Sequence, residues 1–412
     1  MAHNTEVRSP RQVKLRGFER LTTLVDNVSM KIVHSMLVTG DVNTLLRFLP
    51  TALMKTFNMH HRMRVLQVQS QYFTAEVQEP LTVDDISSRN LLRVQSFSQT
   101  TEGSFEHWQR YVADECNVGF DRYTQLPFFL TVWIDEKAEH ARLMLFSDHY
   151  MSDGYSGMVI FNDILEHITS LAAQNPSTAD QQVQEFPLRP SFYDMWLSKK
   201  PLSKAVMKGV ISLLGKTIYW SEMKKFHPVL PARADQHDLV VPPVSNPTSA
   251  SFAEGNPSSM NKALMKLEED SVGAYVAFAD LGSLANEGVN LKTTKFWDLA
   301  RRVKSEIDSK VRQTMLLAAV PIILDQRVNA KIQPSFAKAL NIQHSQTSDA
   351  NLSNVGRYPF AKEHSLLSDS GKESNLKVKT LHVYYSSLGS IIGSLGVVGR
   401  IILLLDGTQV RG

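Results

Sequence analysis

At 412 residues the chain is longer than one hydrophobic core usually serves, so two lobes are expected. Its 43% apolar and 21% charged residues are ordinary for a globular protein, and a net charge of +3 on scattered Lys and Arg speaks against a nucleic-acid footprint. The single cysteine, Cys116, excludes an internal disulfide and a cysteine-rich zinc site, and it reads as a small, partly buried thiol.

Met1 to Arg16 is polar and basic and lacks the apolar core of a signal peptide. Val28 to Leu37 starts with alternation at Val28, Met30 and Ile32 and predicts a strand, with a turn at Gly40-Asp41. Val42 to Phe57 carries Leu45, Leu46, Leu49, Leu53 and Phe57 at helical spacing, with Pro50 as an expected kink. His60 and His61 are adjacent, so a strand would point them to opposite sides; a solvated turn is expected there rather than a metal pair. Val65 to Val68 is a short strand candidate.

Phe128 to Ile134 and Leu143 to Phe146 flank the polar loop 135–140 and predict a hairpin. That hairpin delivers His149-Tyr150-Met151-Ser152-Asp153-Gly154 to a strand end. Beyond it, Met158, Val159, Phe161, Ile164, Leu165 and Ile168 repeat at helical spacing over 155–168. A neutral imidazole between a strand and a helix is suited to take a proton from a hydroxyl, amine or thiol near neutral pH. Asp153 also suits a helix N-cap, and Gly154 suits the turn itself. The acids Asp148 and Asp163 read as loop or surface residues, since neither forms a carboxylate pair of the glycosidase kind.

Pro, Ser, Gln and Asn enrichment over 174–201 and 228–257 signals linker, with an amphipathic helix expected between them at 202–225. The crossover between lobes is therefore placed at 175–257, after a first lobe at 17–174 and before a second at 258–412. In the second lobe, 273–278 predicts a strand. Over 294–312 a helix is predicted, with Phe296, Leu299, Ala300, Val303 and Ile307 on one face and Glu306 and Lys310 as an i,i+4 pair. Strands are predicted at 376–386 and 401–405. The apolar stretch 388–405 between and over them is broken by Gly389, Gly393, Gly396, Gly399 and Arg400, which favours strand and loop over a membrane span. A cytoplasmic protein without stable membrane insertion is expected.

His149-x-x-x-Asp153-Gly154 after a strand resembles the HxxxDG motif of the CoA-dependent acyltransferases. That superfamily includes condensation domains, alcohol acetyltransferases, plant acyltransferases and polyketide-associated acyltransferases. Three further stretches are similar to it, in the same order over about 17–410. They are Val38-Thr-Gly40-Asp41 with the following helix and His61-Arg62-Met63-Arg64-Val65, then Leu352-Ser353-Asn354-Val355-Gly356, then Val397 to Leu405. The resemblance implies an α/β (α+β) fold of two chloramphenicol-acetyltransferase-like lobes, with mixed sheets flanked by helices and an active-site tunnel between them.

It further implies His149 as general base and an acyl-CoA or acyl-carrier thioester as co-substrate, with no permanently bound cofactor and no metal. A small-molecule alcohol or amine is the implied acceptor, and an acyl carrier protein a possible partner. Asp153 is implied to point away from substrate and hold the loop through a basic partner, Arg357 or Arg400. Gly154 lets backbone N–H groups approach the substrate, and Asn354 and Gly356 fall on the substrate side of the second lobe. Against the family pattern, the second lobe is shortened: a helix start at 258–267 stands where relatives carry a helix, a strand and a basic loop. A catalytically inactive, condensation-like binding protein with a degenerate second lobe is the alternative.

Overall fold

A computed structural model describes residues 11–23, 29–71, 73–97, 105–173, 185–197, 252–254, 272–274, 278–280, 293–312, 351–353, 358–367, 373–385 and 403–405. The strands in chain order are β1 (Gln12–Lys14), β2 (Lys31–Gly40), β3 (Val65–Gln67), β4 (Thr74–Val77), β5 (Leu92–Ser96), β6 (Phe128–Ile134), β7 (His140–Asp148), β8 (Phe252–Glu254), β9 (Phe278–Asp280), β10 (Asn351–Ser353), β11 (Glu363–Leu367), β12 (Glu373–Tyr385) and β13 (Leu403–Leu405). The helices are α1 (Phe18–Leu21), α2 (Val42–Met59), α3 (Val83–Ser88), α4 (Trp108–Glu115), α5 (Ser156–Ala173), α6 (Phe192–Leu197) and α7 (Phe296–Arg312). The fold is mixed α/β.

A seven-stranded sheet in the order β11-β12-β2-β7-β6-β5, with β13 also on β12, organises the molecule. The β6–β7 pair is the predicted hairpin, antiparallel with Leu130 opposite Leu145. β5 joins β6 in parallel, which makes the sheet mixed. β12 lies antiparallel along nearly all of β2, with Leu381 opposite Met36. Residues 363–385, which the sequence groups with 258–412, thus complete the sheet built by the first part of the chain. Two smaller sheets, β1-β4-β3 and β10-β8-β9, accompany it.

Both faces of the large sheet are covered, so its central strands lose the apolar–polar alternation of a half-exposed sheet. On one face Phe128, Leu130, Val132, Leu143 and Leu145 join one core with α2 and α5. Leu45, Leu49, Leu53 and Phe57 of α2 are fully buried there, as are Met158, Phe161, Ile164, Leu165 and Ile168 of α5. On the other face Val33, Phe129, Trp133, Met144 and Phe146 pack with Trp108 and Val112 of α4. Cys116 is buried in this second cluster.

Several boundaries differ from the sequence reading. Gly273 is a bend, and the strand expected from it is seen only at Phe278–Asp280. The helix expected at 202–225 and the bend 386–400 lie outside the described residues. α7 forms as predicted, but Phe296 at its start is exposed rather than turned to a core. Its described ion pairs are Arg301–Asp298 and Lys304–Asp308. No helix among the described residues is long and apolar enough to cross a membrane.

The turn at His60 and His61 is not solvated: both rings are buried, and each faces a carboxylate. His60 Nε2 donates to Asp163 Oδ2 at 2.6 Å, and His61 Nε2 lies 3.0 Å from Glu185 Oε2. Neighbouring residues fasten 185–189 along this turn. Arg64 donates to Glu185 Oε1 at 2.6 Å, Phe186 N–H to the Met59 carbonyl, and Arg62 Nη2 to the Arg189 carbonyl. The physical reason is that an isolated imidazole avoids burial, whereas one facing a carboxylate brought in by distant chain is compensated.

Candidate active site

His149 directly follows β7, and its backbone N–H donates to the Met30 carbonyl just before β2. The hairpin therefore delivers the histidine as its pattern requires, at the end of a central strand. The residue is 1% exposed, and its ring meets the edge of Phe18 at 4.7 Å between centroids. Nδ1 lies 2.7 Å from the Ser152 carbonyl oxygen. A carbonyl only accepts, so Nδ1 holds the proton and Nε2 is the basic nitrogen of the neutral ring.

Asp153 acts as the helix cap that its position suggests. Its Oδ1 accepts from Tyr155 N at 3.1 Å, Ser156 N at 2.8 Å and Ser156 Oγ at 2.7 Å. Ser156 Oγ in turn accepts from Gly273 N at 3.1 Å, which ties the start of α5 to the second half of the chain. These bonds occupy the N–H groups of Tyr155 and Ser156. The Gly154 N–H makes no hydrogen bond among the described residues, and Gly154 is half-buried.

Asp148 is neither loop nor surface, contrary to expectation. It is 0% exposed and accepts from Arg122 Nε at 2.8 Å, an ion pair buried on both sides. Arg122 Nη2 also donates to the Thr22 carbonyl at 2.7 Å. Asp163 is likewise committed, to His60. The reason in both cases is long-range: the partners lie 26 and 103 residues away in sequence, beyond any local pattern.

A second buried pair supports α1, the helix that carries Phe18. Arg62 Nη1 donates to Glu19 Oε1 at 2.8 Å, and burial pushes the Glu19 pKa up even against that guanidinium. Between them, Arg62 and Arg122 hold the two ends of the segment that sets Phe18 against His149.

His34 of β2 is the site residue that sequence reading missed. It is 0% exposed, and its Nε2 lies 2.7 Å from the Gly154 carbonyl oxygen. Burial pushes its pKa down to about 4, so near neutral pH the ring is uncharged and Nε2–H donates. The only signal available was a polar His-Ser pair inside the apolar run of β2, where a buried polar group must find a partner. Because the folded pKa lies below the usual 6.5, the unfolded chain binds more protons between pH 6.5 and about 4. The His34 contribution is thus complete above pH 6.5 and is lost as pH falls toward 4. Thermal scans should show the wild type losing up to about 3 kcal/mol from this group across that window. His34→Gln should show a shallower fall; an equally steep one would contradict the assignment. His61 and His167, also lowered by burial, add the same slope to both proteins.

Asn354, Gly356, Arg357 and Arg400 lie outside the described residues; Ser353 closes β10 just before them. Among the described residues no group of three His, Cys, Asp or Glu side chains is arranged to hold a metal.

No protein-family model matches the chain, and no curated protein matches it. Solved structures do. The trichothecene 15-O-acetyltransferase TRI3 of Fusarium sporotrichioides matches with a TM-score of 0.64 at 12% identity, over 91% of this chain and 86% of that one. The EpoB cyclization-docking bidomain of Sorangium cellulosum matches at 0.48 and 12% identity, over 90% and 83%. Polyketide synthase associated protein 5 of Mycobacterium tuberculosis matches at 0.46 and 11%, over 92% and 87%. The first establishes the fold: the chain is folded like the TRI3 acetyltransferase.

Proposed function

We propose that this protein transfers an acyl group from a CoA or carrier-protein thioester to an alcohol or amine, with His149 as general base. The carrying observation is the 2.7 Å bond from His149 Nδ1 to the Ser152 carbonyl, which leaves Nε2 as the basic nitrogen. Nε2 takes the proton of the acceptor hydroxyl or amine as that atom attacks the thioester carbonyl. The tetrahedral intermediate then collapses, the C–S bond breaks, and the imidazolium returns its proton to the departing thiolate. The negative oxygen formed in between needs a donor held in place beforehand. The Gly154 N–H is suited to that, being half-buried and not otherwise bonded among the described residues. Asp153 serves by holding the turn, and Asn354 and Gly356 are proposed on the substrate side of a tunnel between two lobes. The thioester is the co-substrate, an acyl carrier protein one source of it, and the cytoplasm the proposed location.

One observation favours a second reading, a condensation-like protein that binds without catalysing. His149 is 1% exposed, whereas a base must be reached by its acceptor. The two readings part in one assay, in which purified protein is mixed with acetyl- and longer-chain acyl-CoA and a panel of alcohols and amines. Free thiol release that requires an acceptor is the expected result. Silence across all donors from a folded protein would establish the binding reading, and release without acceptor would make the protein a hydrolase.

A further inference from the structure

Near His149 one peptide unit is gripped at both ends. The carbonyl of the Gly154–Tyr155 peptide meets His34 Nε2 at 2.7 Å, and its N–H meets Asp153 Oδ1 at 3.1 Å. The grip from below depends on a missing side chain. A Cβ on Gly157, in the first turn of α5, would stand 2.1 Å from His34 Nδ1 and 2.2 Å from its Cε1, closer than any real contact. Only glycine at 157 lets the α5 backbone settle on the imidazole. The backbone of His34 cannot shift away, since β2 is paired with β12 on one side and β7 on the other.

We propose that His34 is a positioning residue for the His149 loop, acting through the Gly154 carbonyl and locked in place by Gly157. Holding this peptide at its carbonyl and its N–H anchors the loop next to the Gly154 amide, with only φ and ψ of Gly154 between them. It also fixes the cap Asp153, and through the adjoining Ser152 the carbonyl that holds His149 Nδ1. The chain of bonds runs from His34 to Gly154, Asp153, Ser152 and His149. None of its members besides His149 and the Gly154 amide touches substrate. The kinetic part of this inference rests on the reading of His149 as a base; the structural part does not.

The test uses the full chain with ¹⁵N-labelled histidine, in wild type, His34→Leu, His34→Gln and Gly157→Ala. Leucine fills similar space without a donor, and glutamine restores an N–H near the position of Nε2. The wild type should show a downfield, slowly exchanging His149 Nδ1 proton, assigned by its loss in His149→Asn. That signal should shift and exchange at least tenfold faster in His34→Leu and Gly157→Ala, and return toward wild type in His34→Gln. Where acyl transfer is measurable, kcat should fall at least tenfold in His34→Leu with KM within about twofold, and His34→Gln should recover most of it. An unaltered His149 signal in folded His34→Leu overturns the proposal, as does a glutamine variant no better than leucine. A wild type without acyl transfer sinks the catalytic reading instead, and the proton signal still decides the positioning role.

Discussion

His149→Asn is expected to lower acceptor-dependent thiol release by about 10²–10⁴-fold, the usual worth of a positioned general base. Asparagine is the informative replacement because its amide nitrogen sits near the place of Nδ1. It keeps a donor for the Ser152 carbonyl, which the wild-type ring engages at 2.7 Å, and removes only the nitrogen that would take the proton. Alanine removes both, and leaves that carbonyl unpaired in a buried site at a cost of about 1–3 kcal/mol. It also opens a gap beside Phe18. With asparagine, a loss of rate at nearly unchanged thermal midpoint isolates the chemistry from the fold. A variant that keeps more than a tenth of wild-type turnover would mean that His149 is not the base.

Arg122→Met should cost about 3–5 kcal/mol, because it strands a buried carboxylate. Asp148 is fully buried, its Oδ2 is held by Arg122 Nε, and its Oδ1 has no hydrogen-bond partner among the described residues. The same substitution frees the Thr22 carbonyl that follows α1. At about 1 °C per kcal/mol for a chain of 412 residues, the thermal midpoint should fall by roughly 5 °C. The double variant Arg122→Met/Asp148→Asn should recover a large part of this loss, since the amide removes the stranded charge. If the double variant is as unstable as the sum of the singles, the pair is not an ion pair in the folded protein.

The placement of His149 was legible in the sequence because its signals are local. Two apolar runs with a polar loop between them make a hairpin, and the helical repeat after Gly154 starts within a few residues of the motif. The capping role of Asp153 was legible for the same reason, since its partners are two and three residues ahead. His34, Arg122 and the buried state of His60 and His61 were not. Each has a partner far along the chain, from 26 residues for Arg122 and Asp148 to 124 for His61 and Glu185. The expectation of a solvated turn at His60 failed because Asp163 and residues 185–189 bond to it.

Periodicity and turn chemistry thus determined the elements and their order around the motif, because side-chain spacing along a helix or strand is a property of neighbouring residues. Tertiary structure alone decided which polar groups are buried and what compensates them. It also decided that β12, from the far end of the chain, pairs with β2 to complete the sheet behind the site. The physical reason is desolvation: a buried imidazole, arginine or aspartate is tolerable only beside a partner, and that partner is supplied by whichever segment the fold brings there.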